Sequence, residues 1–70
     1  MPTTKTVTTI SPSDIGSDCS YELGNLSIAG VLKYYTVGPT DDRCTCAIEY
    51  EDGNGGLGVV EADVSQVEFS

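Results

Sequence analysis

The most regular alternation of apolar and polar positions runs from Cys44 to Glu51, CTCAIEYE. A period of two is that of a strand with one dry and one wet face. It puts Cys44, Cys46, Ile48 and Tyr50 on the dry face, and Thr45, Ala47, Glu49 and Glu51 on the wet one. Asp52-Gly53 follows, a pair that favours a tight reversal, and Leu57–Ala62 reads as the returning strand. Upstream, Leu26–Val37 is the longest strand candidate. Alternation there groups Leu26, Ile28, Gly30, Leu32 and Tyr34 against Ser27, Ala29, Val31, Lys33 and Tyr35, with a bulge or bend expected at Gly30.

The rest of the chain supplies shorter pieces. Residues 1–12 are Thr-rich with little to bury, a tail or an edge strand, and residues 13–70 form the single domain. Ser11-Pro12-Ser13-Asp14 is a turn signal, with Ser13 or Asp14 placed to cap a short helical turn that Gly16 would stop. Cys19, Tyr21 and Leu23 alternate, a short strand closed by Gly24-Asn25. Gly38–Asp42 is a loop, Asp63–Gln66 a single helical or 3-10 turn begun by Asp63, and Val67 and Phe69 mark a last strand. The fold class is all-β: four to five short strands, with one brief 3-10 turn before the last, closed into a small barrel.

Three stretches resemble the Tudor and related SH3-like barrel pattern: Gly30–Tyr35, then Cys46–Gly53, then Val59-Val60 with Asp63–Val67. In that pattern a strand reading apolar-x-aromatic-x-Asp-Gly is followed by a returning valine strand and a 3-10 turn. The match covers about the last two-thirds of the chain and lies mostly in structural residues, so it implies a fold more than a function. What it implies for binding is an aromatic cage for a methylated lysine or arginine, with Tyr34 or Tyr35 and Tyr50 as the matched aromatics and Glu51 and Asp52 as complementary acids. The chain has no Trp, its Gly-rich tip is long, and Tyr50 falls on the dry face, so core packing with the hydroxyl at the rim is the competing role for these rings.

Length and charge narrow the chemistry. Seventy residues give a thin core and little room for an enclosed pocket. There is no His, which removes Ser-His and Cys-His catalysis within the chain. Three cysteines fall short of a structural zinc set; Cys44 and Cys46 in one strand stand about 7 Å apart, at or beyond the disulfide limit, and Cys19 is the one other candidate to pair with either, with reduced core thiols the simpler reading. Asp52-x-Asn54-x-Gly56 lacks the spaced Glu of a calcium loop, and Gly53–Gly58 lacks the Lys of a phosphate cradle. The expectation is a non-enzyme without cofactor or metal. With no leader-like apolar segment at the N-terminus and no membrane-spanning run, an intracellular, soluble, cytoplasmic protein is expected.

Eleven acids against Lys5, Lys33 and Arg43 give a net charge of −8, and no basic residue follows Arg43. Nucleic acids and anionic membranes are repelled, and basic partners are favoured. Glu49, Glu51, Asp52, Glu61 and Asp63 gather near the central hairpin without an evident counter-charge. Together with Tyr34, Tyr35 and Tyr50 they are the candidate binding residues. The function expected is a protein-interaction module that binds a basic protein or peptide through this carboxylate face. The alternative is an inhibitor of phage or mobile-element type that blocks a nucleic-acid-binding or defence protein by mimicking nucleic acid. The N-terminal edge strand, over residues 1–10, is also a route to a homodimer.

Overall fold

A computed structural model describes residues 3–69, the side chain of Leu23 excepted; Met1 and Pro2, part of the expected tail or edge strand, lie outside the described residues. The chain runs β1 (Thr3–Thr4), a 3-10 turn (Pro12–Asp14), β2 (Asp18–Leu23), β3 (Leu26–Val37), β4 (Cys44–Glu51), β5 (Leu57–Asp63), a second 3-10 turn (Val64–Gln66) and β6 (Val67–Phe69). All six strands belong to one antiparallel sheet of order β1-β6-β2-β3-β4-β5. The all-β class is as expected. The closed barrel is not found: no ladder joins β5 to β1 among the described residues, so the sheet is open and retains two edges.

Each connection has a local cause. Gly24, at φ +61°, heads the two-residue loop that pairs Leu23 with Leu26. Asp52 organises the β4–β5 reversal, its Oδ1 accepting from the backbone N–H groups of Asn54 (2.7 Å) and Gly56 (3.2 Å). The first 3-10 turn begins two or three residues earlier than expected: Ser11, not Ser13 or Asp14, occupies the cap position, and Asp14 instead accepts from the Ser11 N–H at 2.9 Å. The second is as expected, with the Asp63 carboxylate accepting from the Ser65 N–H at 3.0 Å and from its hydroxyl at 2.8 Å.

The core lies on one face of the curled sheet. Cys19 of β2, Leu32 of β3, Cys44, Cys46 and Ile48 of β4, Ala62 of β5, and Val67 and Phe69 of β6 converge with Ile10 and Val64. The three thiols are free and buried. Burial pushes all three above the usual thiol range, Cys46 to about 12, where neighbouring Cys44 adds to the effect.

Two details of the middle strands differ from the simple alternation. The register of β3 against β4 shifts between Leu32 and Tyr34, so the irregularity sits at Lys33 and not at Gly30. Past that extra residue the faces exchange: Tyr35 pairs with Cys46 and packs on the core, whereas Tyr34 pairs with Ala47 and stays 43% exposed. Gly30 serves a close approach instead. A Cβ there would collide with the Glu49 carbonyl oxygen and lie 3.2 Å from an Ile48 methyl. Ala47, on the expected wet face, is fully buried, because its short side chain sits between the longer cross-strand neighbours Tyr34 and Glu61.

Candidate functional site

The same alternation that builds the core sorts the charge. With Cys19, Ile48, Val60, Ala62, Val67 and Phe69 inward, the strand carboxylates of Asp18, Glu22, Glu49, Glu51, Glu61, Asp63 and Glu68 all take outward positions. No charged side chain is buried among the described residues. Cross-strand register then sets the neighbours on β4 and β5: Glu51 faces Leu57, Glu49 faces Val59, Ala47 faces Glu61 and Thr45 faces Asp63. Glu49 and Glu61 are therefore diagonal neighbours around Val59, a spacing of roughly 7–8 Å. Leu57 and Val59 are 65% and 46% exposed, two apolar side chains inside an acidic frame.

The acids are less bare than their spacing in sequence implied. Lys33, outward next to buried Leu32, reaches Glu49 at 3.1 Å, and Arg43 reaches Asp63 at 3.7 Å. Both pairs are solvent-exposed, so each adds little to stability. Asp63 is further committed to its turn, and the Ser65 backbone and hydroxyl hold its carboxyl below the usual range, with Arg43 adding to this. Asp52 spends its Oδ1 on the reversal. Glu51 and Glu61 remain without a cationic partner among the described ion pairs.

The tyrosines do not converge. Tyr34 is on the outer face beside Ala47; Tyr35 is on the core side. Tyr50 is on the core side too, but four residues along β4 from the partner of Tyr35, about 13 Å away. Its ring lies across Gly58 of β5, where an added Cβ would come within 2.8 Å of Cζ. The glycine thus makes room for the ring, and the ring covers the bare backbone. Tyr50 also walls an open depression of about 350 Å³ between Gly30 and Leu57, with Val31, Glu49 and Glu51 around it. Sequence reading missed Leu57 and Val59 as surface residues; a valine-rich returning strand gives no sign of being an edge until the strand order is known.

Among the described residues no group of His, Cys, Asp and Glu is placed to hold a metal ion, and no helix is long and apolar enough to cross a membrane. No family model matches the chain, and no curated protein or solved structure matches it significantly.

Proposed function

We propose that this chain is a small non-enzymatic interaction module that binds a basic segment of another protein through the outer face of β3, β4 and β5. The observation that carries this reading is the pair of unpartnered carboxylates, Glu51 and Glu61, set around exposed Leu57 and Val59. Each lies roughly 7–8 Å from Glu49, Glu51 along β4 and Glu61 across the diagonal. Like charges at that spacing cost some stability, and a cationic partner relieves it while covering the two apolar side chains. The architecture we infer is SH3-like. A four-strand meander, β2 to β5, leads through a 3-10 turn to a last strand that returns to pair with β2, which supports that topology without hydrogen-bonded closure. The separation of the rings favours structural roles for Tyr35 and Tyr50 over a methyl-ammonium cage.

The test is a titration of labelled basic and acidic peptides against the native chain and a variant carrying Glu49→Lys, Glu51→Lys and Glu61→Lys, at low and high salt. Basic peptides should bind the native chain, more weakly as salt rises, and should not bind the variant. Equal binding by both proteins would remove the acidic face from the account. The second reading, a nucleic-acid mimic, draws on carboxylates repeated two residues apart, Glu49 with Glu51 and Glu61 with Asp63, at roughly 7 Å. It predicts that the chain displaces DNA from a cationic DNA-binding protein while leaving unstructured basic peptides unbound.

A further inference from the structure

We propose that β5 is a docking edge, which takes up an extended basic segment of the partner as one more antiparallel strand. This rests on the basic-partner reading above and specifies where the partner lies and in what conformation.

The two edges of the sheet are unequal. At one, β1 is two residues long, and Lys5 follows it with its ammonium 5.6 Å over the Phe69 ring and 3.5 Å from Asp14. At the other, β5 is seven residues long and pairs with β4 without a register shift. It contains no Lys, Arg or Pro, and no strand covers its outer side among the described residues. Short length, charged side chains (lysine above all), proline and bulges keep sheet edges from recruiting another chain; β5 is long and unbulged, lacks lysine and proline, and its only charges are Glu61 and Asp63, which turn away acidic strands but not basic ones. Alternate residues of β5 therefore present backbone N–H and C=O groups outward, the template for strand addition.

Side-chain order selects the occupant. Outward positions along β5 read Leu57, Val59, Glu61, Asp63, two apolar and then two acidic, with Glu49 and Glu51 on the strand behind. A complementary antiparallel strand carries two basic residues and then two apolar ones at alternate positions. A second copy of this chain does not fit. Each copy carries −8, and pairing two β5 strands about Val60 would set Glu61 and Asp63 of one against Val59 and Leu57 of the other.

The probe is an acetylated, amidated and labelled peptide, Lys-Thr-Lys-Thr-Val-Thr-Val, read by fluorescence anisotropy. Controls are the same peptide with Glu for Lys, and two forms N-methylated at either the odd or the even amides. A strand uses only one of its edges to join a sheet, so one methylated form should bind like the parent and the other about tenfold more weakly or worse. The Val59→Lys protein, which puts a guarding lysine at an exposed position, should lose binding while keeping its circular dichroism. Alternate β5 amides should gain protection from hydrogen exchange in the complex. If both methylated forms match the parent, or both lose binding equally, strand addition is overturned while the acidic-face reading stands. If the parent does not bind at all, both fall. If the Glu peptide binds as well, or sedimentation shows a dimer that Val59→Lys dissociates, the basic occupant is wrong.

Discussion

Two residues, Gly30 and Tyr35, hold positions that few substitutes could fill. Gly30 lets β3 and β4 cross closely, and Gly30→Ala should destabilise the fold by about 1–3 kcal/mol in urea unfolding, since the intruding methyl meets a backbone carbonyl and not a movable side chain. Tyr34 and Tyr35 are adjacent and chemically identical, yet Tyr35→Ala should cost about 2 kcal/mol and Tyr34→Ala less than about 1 kcal/mol, because only the first empties core volume. Alternation alone assigned these two rings to the wrong faces. The error came from Lys33, a polar residue at an ordinary-looking position that carries no mark of being the extra residue. The thiols, by contrast, were legible: small apolar-like groups at the inward positions of an alternating strand. A thiol whose pKa is raised by folding contributes stability that is complete below its unfolded value near 9 and is lost as pH rises towards the folded value near 12. Unfolding midpoints should therefore fall with pH above about 9, and Cys46→Ala should flatten that part of the profile even if it lowers stability at neutral pH.

At the level of the element, the turn between β5 and β6 is the junction on which the strand order depends. Val64 is buried and Asp63 caps the turn, so the chain leaves the β5 edge and arrives beside β2. Asp63→Ala should lower the thermal midpoint more than Glu61→Ala does. The contribution of Asp63 runs in the acidic direction: its carboxyl is held below the usual range, so the stability is present above the ordinary carboxylate pKa and disappears as pH falls through the lower folded value. A thermal melt series from neutral to acidic pH, with and without Asp63→Ala, reads this directly. This turn and the Asp52 reversal were both readable, because Asp and Gly act through bonds to residues only two to four positions away. The partner of each strand across the sheet was not. Pairing of β6 with β2 joins residues nearly fifty positions apart, and no local preference encodes which edge a late strand chooses.

For the molecule as a whole, the charge is a load on the native state as well as a lure for a partner. Moderate salt should raise the melting temperature of the free chain by screening its outward carboxylates, while weakening any complex with a basic peptide. Glu61→Lys should act the same way through one residue, sparing or improving stability and abolishing peptide uptake; a variant that lost both together would show Glu61 to be structural. The barrel expected from the turn pattern is an open sheet, because β1, only two residues long, makes no ladder with β5 among the described residues. The strand order has a practical consequence. Thr3 and Phe69 stand directly across from one another, so the first and last described strands lie side by side. A circular permutant, its old ends bridged by a brief linker and its new ones opened between Gly38 and Arg43, should fold and bind as the natural order does.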